Sequence, residues 1–137
     1  MALKLMVSDV MTPKIVYVAP DASVSSAASK MGEENISCLI VLSGSRVCGI
    51  VTERDLATKV TAKSLNPEKT HVKDVMSCGV KTIASSKNLV DAARLMRDDG
   101  IKKLVVVDGQ KVVGLISERD ILEVDPALRG KDRGDET

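Results

Sequence analysis

Two short segments carry the residue types best suited to hold a small molecule. Gly49-Ile50-Val51-Thr52-Glu53-Arg54-Asp55 and Gly114-Leu115-Ile116-Ser117-Glu118-Arg119-Asp120 share one pattern: a glycine, two aliphatic residues, a hydroxyl and, three residues later, an aspartate. In each, an aliphatic run that reads as a strand leads straight into a polar stretch that reads as a helix. A hydroxyl at the first helical turn, with the backbone N–H groups and the positive end of the helix dipole, suits a phosphate. About one turn further on, the carboxylate of Asp55 or Asp120 suits a ribose diol, whose two hydroxyls it can accept. Gly49 and Gly114 would let a flat ring approach the backbone closely. The residues alone leave a second account open, because Thr/Ser-x-x-Asp is also nearly a capping box, worth about 1 kcal/mol to each helix. Duplication copies caps as readily as sites.

The elements that must position these segments are themselves duplicated. Val7–Leu56 aligns with Val72–Ile121 without a gap at a constant offset of 65 residues, with Asp9/Asp74, Val10/Val75, Met11/Met76 and Glu53-Arg54-Asp55/Glu118-Arg119-Asp120 identical. Two copies are too few for a solenoid and predict a closed pair about a pseudo-twofold axis. Within each copy the periodicities change in the same order. Ile15–Val18 reads as a short strand, and Val24, Ala27, Ala28 and Met31 then form an amphipathic helical stripe, repeated at Leu89, Ala92, Ala93 and Met96. Ser23 and Asn88 stand at the N-cap positions and Gly100 at a C-cap position. Hairpins follow at Cys38–Leu42/Val47–Val51 and Leu104–Val107/Val112–Ile116, their nearly continuous aliphatic runs predicting strands covered on both faces. A last helix is expected from about Glu53 to Lys63 and from about Glu118 to Val124. The fold class is therefore α+β, a tandem pseudo-twofold pair of β-α-β-β-α units. The expected boundaries are 7–63 for the first repeat, 64–71 for a linker, 72–124 for the second repeat and 125–137 for a frayed tail.

Composition narrows the function. Twenty Lys and Arg against nineteen Asp and Glu leave a net charge of +1, which provides no overall field for nucleic acid or a membrane surface. Tyr17 is the only aromatic residue, so almost nothing is present to stack unpaired bases, and no direct nucleic-acid partner is expected. No segment approaches the ~18 apolar residues of a membrane span, and no signal peptide is evident. Cys38, Cys48 and Cys78, an odd number without Cys-x-x-Cys spacing, predict reduced thiols in a cytoplasmic protein and no metal cluster. His71 stands alone in the linker, and no nucleophile–base pair is visible, so catalysis is not expected. Met11/Met76 and Met31/Met96 are expected to pack in a core or pair interface.

The duplication, the β-α-β-β-α order, the Asp-Val-Met openings and the Gly-h-h-Thr/Ser-x-x-Asp segments (h, aliphatic) together resemble the cystathionine-β-synthase (CBS) domain pair, or Bateman module, over about Val7–Val124. The resemblance implies two clefts that bind AMP, ADP, ATP or an S-adenosyl compound, with Thr52 and Asp55 marking one and Ser117 and Asp120 the other. It implies that the hydroxyl touches the phosphate or ribose side and the aspartate holds the ribose hydroxyls. It adds base contacts from Val16, Ile36 and Ser37 in the first copy and from Lys81, Ile101 and Lys102 in the second. Ile40 and Val105 stand where many members have Pro or Ala, which leaves base specificity open. Ile50 and Leu115 complete the expected nucleotide-binding set together with Arg54, Arg119 and Lys103, all three cations able to reach phosphate or to stay on the solvated surface. Lys81, Lys102 and Lys103 against Val16, Ser37 and Cys38 predict unequal clefts. The resemblance also implies a homodimer and a regulatory output acting in trans on an unknown target protein, with no cofactor required. The competing account is a ligand-free structural dimerisation module whose Thr/Ser-x-x-Asp segments only cap helices.

Overall fold

The hydroxyl of Ser23 and the amide oxygen of Asn88 set where the long helices begin, by accepting the N–H of Ser26 at 3.0 Å and of Asp91 at 2.8 Å. In the computed structural model, which describes residues 5–128, a single helical turn (α1, Val7–Val10) and a two-residue strand (β1, Tyr17–Val18) precede the first of these helices (α2, Val24–Glu34). Asn35 ends α2 in the left-handed region at φ 56°, and Gly100 ends its counterpart (α4, Leu89–Asp99) at φ 66°. The first hairpin is β2 (Cys38–Ser43) and β3 (Arg46–Thr52), followed by a short α3 (Glu53–Leu56). The second copy repeats the order with β4 (Thr82–Ala84), α4, β5 (Lys103–Asp108), β6 (Lys111–Ser117) and α5 (Glu118–Val124). Each copy builds a three-stranded sheet, β1-β2-β3 or β4-β5-β6, parallel on one side of its central strand and antiparallel on the other.

The central strands are buried on both faces, as their aliphatic runs predict: Leu39, Ile40 and Val41, and Leu104, Val105 and Val106, are all 0% exposed. Both hairpins close on a two-residue turn led by a glycine at positive φ, Gly44 at 65° and Gly109 at 67°. Leu39, Val41 and Val51 pack with Val24, Ala27 and Met31 of α2, while Leu104, Val106 and Ile116 pack with Leu89, Ala92 and Met96 of α4. The two long helices therefore bury the stripes that their spacing marks.

The expected last helix of the first copy changes character. After Leu56 the chain runs as a π-helix over Ala57–Thr61, the Ala62 N–H bonding the Ala57 carbonyl at 2.9 Å. In the second copy, α5 keeps α geometry to Val124. Within the stretch expected as a tail, Pro126–Leu128 form a 3-10 turn and Leu128 packs against the core that holds Ile121. Residues 129–137 of the expected tail lie outside the described residues.

The compact units do not coincide with the sequence repeats. Of the described residues, 16–80 form one unit, whereas 5–15 join 81–128 in the other. The opening of each repeat is thus built into the sheet unit of the other. Val7 lies in the core with Ile83, Leu89 and Ile121, and Val72 and Val75 lie in the core with Val18, Val24 and Val60. The same hydrogen bonds recur at the 65-residue offset with the copies exchanged. Val7 N–H donates to the Lys87 carbonyl at 2.7 Å and Val72 N–H to that of Ala22 at 2.8 Å; Ser8 donates to Ser85 at 3.1 Å and Lys73 to Pro20 at 3.0 Å. An exposed ion pair between Lys73 and Asp21, 3.0 Å apart, strengthens one of these joins. Its hydrogen bond and charge hold the Asp21 carboxyl below the ordinary value, so the pair is intact at neutral pH and is lost as the pH falls through that lowered value.

Each opening segment then pairs with the edge of the hairpin. Ser77 exchanges two hydrogen bonds with Ile50, at 2.9 and 3.1 Å, and Thr12 exchanges two with Leu115, at 2.8 and 3.0 Å. Gly49 and Gly114 permit this pairing. A Cβ at Gly49 would stand 2.6 Å from the Ser77 carbonyl oxygen, and one at Gly114 would stand 2.7 Å from the Met11 sulfur and 2.8 Å from the Thr12 carbonyl oxygen. Gly49→Ala and Gly114→Ala should each lower stability by about 1–3 kcal/mol through overpacking. Denaturant unfolding that leaves either variant as stable as the parent would show that the edge pairing yields freely.

Candidate functional site

Thr52 and Asp55 meet because the strand β3 ends at Thr52 in extended conformation, φ −122°, and the helix begins at the next residue. The Thr52 hydroxyl accepts the Asp55 N–H at 3.1 Å, and the Asp55 Oδ2 accepts the Thr52 N–H at 2.9 Å and its hydroxyl at 3.1 Å. Ser117 and Asp120 reproduce the two backbone bonds, Asp120 Oδ2 accepting the Ser117 N–H at 2.9 Å and Ser117 Oγ accepting the Asp120 N–H at 3.1 Å. Both pairs are therefore reciprocal capping boxes. The sequence admits that geometry and a ligand-holding one; in the structure the side chains satisfy one another.

Protein acceptors also take the first and third N–H groups of each helix. Glu53 N–H donates to the Ser37 carbonyl at 3.0 Å and Glu118 N–H to that of Lys102 at 2.8 Å, while the third N–H goes to Thr52 or Ser117. The run of free N–H groups expected for a phosphate is accordingly reduced. The glycines differ from expectation too: the space beside Gly49 and Gly114, read as room for a ring, is filled by Met76-Ser77 and Met11-Thr12 of the chain itself.

The two aspartates are not equivalent. Asp55 is buried, 7% exposed, and not the solvent-facing carboxylate its place in the first turn suggests. Its Oδ1 lies 3.1 Å from the Lys59 ammonium, which also donates to the Val75 carbonyl at 3.0 Å. Asp120 is half-buried, and the residue at the place of Lys59 is Val124, 45% exposed. Lys59 is the residue that sequence reasoning missed. The Asp55–Lys59 spacing of four was a readable signal, but the reach to Val75 depends on where the second opening segment docks.

The remaining candidates divide between the two units. Val16, Ile36, Ser37, Ile50 and Arg54 lie with Asp55, and Lys81, Ile101, Lys102, Lys103, Leu115 and Arg119 lie with Asp120. Val16 and Lys81 use their carbonyls to hold the central strands, accepting the N–H of Ile40 at 3.0 Å and of Val105 at 3.1 Å. Ile36 packs against one core and Ile101 against the other, and Ser37 is exposed. Ile50 and Leu115 spend their backbone groups on the edge pairing. Arg54 is exposed, whereas Arg119, 87% exposed, faces Glu123 at 3.4 Å along the helix surface. Lys102 is exposed and Lys103 half-buried; Ile101 and Lys102 line a cavity of about 130 Å³ with Met96, Ile121 and Leu128. Met31 and Met96 are core residues, and Met11 and Met76 pack at the core edge against the glycines. His71 opens the 3-10 turn Val72–Asp74, its N–H directed at Asp74 from 3.4 Å. Among the described residues no three His, Cys, Asp or Glu side chains gather as a metal site, and no helix is long and apolar enough to cross a membrane.

The profile of the CBS domain matches residues 7–62 and again residues 72–127. The chain belongs to the CBS domain family. It is 31% identical to the CBS domain-containing protein YhcV of Bacillus subtilis over 84% of this chain and 81% of that protein. It is 36% identical to an uncharacterized protein of Methanopyrus kandleri over 89% of its own length, spanning 63% of that relative. Among solved structures it resembles the hexameric CBS-CP12 protein from bloom-forming cyanobacteria, with a TM-score of 0.79 and 30% identity over 86% of this chain and 66% of that one. It also resembles a candidate signal-transduction protein with CBS domains from Burkholderia ambifaria, with a TM-score of 0.73 and 33% identity over 84% of this chain and 85% of that one. The two CBS matches repeat the sequence period, and the three-stranded sheets with their helices are the CBS pair fold.

The environments of the two CBS carboxylates predict different costs of removal. Asp55→Ala breaks the capping box and leaves Lys59 facing a lost partner, so it should destabilise by about 2–3 kcal/mol, whereas Asp120→Ala should cost about 1 kcal/mol. Equal losses in urea unfolding would show that burial and the Lys59 pair add nothing at Asp55.

Proposed function

We propose that this CBS pair is a regulatory module that binds an adenine nucleotide or S-adenosyl compound and acts on a partner protein in trans, as a homodimer in the cytoplasm. The observation that carries this reading is the state of Asp120. Its Oδ2 is engaged by Ser117, while its Oδ1 meets no protein donor among the described residues and its side chain is half-buried. A carboxylate oriented through one oxygen, with the other available, can receive a ribose hydroxyl without first unfolding its cap. Arg119, Lys102 and Lys103 would supply positive charge on the phosphate side. Association is supported by the hexameric state of the CBS-CP12 protein, and regulation by the signalling role suggested for the Burkholderia protein.

One observation favours a second reading, in which the module only assembles. Both capping boxes are closed, and each hydroxyl accepts the N–H of its own aspartate. The two readings separate in a thermal-shift panel with AMP, ADP, ATP, NADH and S-adenosylmethionine. A ligand at about 100 times its Kd should stabilise the fold by ~2.7 kcal/mol, and Asp120→Ala should cut that response by about half or more. A flat panel would leave the assembly reading. Light scattering should give twice the 14.6 kDa chain mass at micromolar concentration, and a monomer would count against the dimer.

A further inference from the structure

The 65-residue offset that pairs Asp55 with Asp120 pairs Lys59 with Val124, and this one difference changes what each carboxylate has left to offer. All of Asp55 is in use: Oδ2 takes the N–H and hydroxyl of Thr52, and Oδ1 takes the Lys59 ammonium at 3.1 Å. The Lys59 ammonium is itself held by two partners, Asp55 and the Val75 carbonyl at 3.0 Å. Val75 is buried, 3% exposed, and belongs to the segment that docks on this sheet, so the lysine is a strut between the helix and that segment. The backbone that carries it is also particular to the first copy, since residues 57–61 run as a π-helix. In the second copy the residue at that place is Val124, and Asp120 Oδ1 meets no protein donor among the described residues.

We infer that Lys59 is a specificity-determining residue that closes the first carboxylate to a ribose diol and restricts this CBS pair to one nucleotide per chain, taken at Asp120. The inference rests on the nucleotide reading above. A diol approaching Asp55 must displace a charge-assisted hydrogen bond from a carboxylate that is already largely desolvated, and nothing it donates replaces the lost charge. The penalty corresponds to about ten-fold or more in affinity between the two carboxylates. It acts independently of Lys102 and Lys103, whose charges would favour phosphate beside Asp120. The two effects have the same sign.

Calorimetry with the tightest nucleotide of the panel tests the inference on the parent chain, Asp120→Ala, Lys59→Val and the double variant. Lys59→Met, which keeps the aliphatic stem, guards against a packing effect of the shorter side chain. The parent should bind one equivalent per chain, and Asp120→Ala should weaken it at least ten-fold. Lys59→Val and Lys59→Met should raise the stoichiometry to two, and Lys59→Val with Asp120→Ala should retain one. A parent that already binds two equivalents, or Lys59 variants that fold normally and still bind one, would overturn the inference while leaving nucleotide binding in place. Weaker binding by the Lys59 variants would overturn it as well, by making Lys59 a phosphate ligand. Absence of binding in every protein would overturn the nucleotide reading and the inference with it. A readout that needs no ligand is the Asp55→Asn/Lys59→Met stability cycle. The lock requires non-additivity of about five-fold or more in the unfolding equilibrium constant, and strict additivity would refute it.

Discussion

Each sheet of this protein is completed by a segment that the sequence assigns to the other repeat, and the backbone pairings Ser77–Ile50 and Thr12–Leu115 make that possible. A hairpin strand at the edge of a three-stranded sheet exposes a row of unpaired N–H and C=O groups. The opening segments satisfy part of that row, and they insert Val7, Val72 and Val75 into cores that would otherwise lack them. The constraint is steric as much as hydrogen-bonded: the segments run so close to Gly49 and Gly114 that a methyl group has no place there. Exchange of this kind ties the two copies into one folding problem, since neither sheet unit is complete without chain from beyond its own repeat.

The same exchange shapes the candidate site. Because Val75 is brought to the first sheet, its carbonyl becomes an acceptor for Lys59, and Lys59 is then held against Asp55. A lysine on a helix surface, paired only to an aspartate four residues away, would contribute little and move freely. With a second, buried anchor it becomes part of the structure. The second sheet receives Val10 in the corresponding place, but Val124 has no ammonium to send towards it. Two carboxylates that share a Glu-Arg-Asp triplet are consequently left in different states among the described residues, one consumed and one half available.

Capping and ligand binding are not exclusive uses of one motif. A reciprocal cap holds the aspartate in a single orientation, and that costs only one of its oxygens. What separates a pure cap from a potential site is the environment of the other oxygen. That is a property of residues one turn further along the helix and of chain brought in from elsewhere.

The sequence by itself determined the duplication, the order of strands and helices, the capping residues Ser23 and Asn88, and the reduction of the chemistry to two Thr/Ser-x-x-Asp segments. Those features are local: they follow from periodicity, side-chain hydrogen bonding and the steric demands of turns, all of which act over a few residues. The central strands were legible as doubly covered for the same reason, through unbroken aliphatic runs. Tertiary structure alone decided which copy each opening segment completes, because the repeats are alike and an opening segment matches either sheet equally well by pattern. It therefore also decided that Gly49 and Gly114 accommodate Met76-Ser77 and Met11-Thr12, where a ring had been expected. The burial of Asp55 and the strut from Lys59 to Val75 were hidden for a related reason. The spacing of four hints at the Asp55–Lys59 pair, but nothing in the chain order of Val75 places its carbonyl beside them until the exchange has brought its segment there.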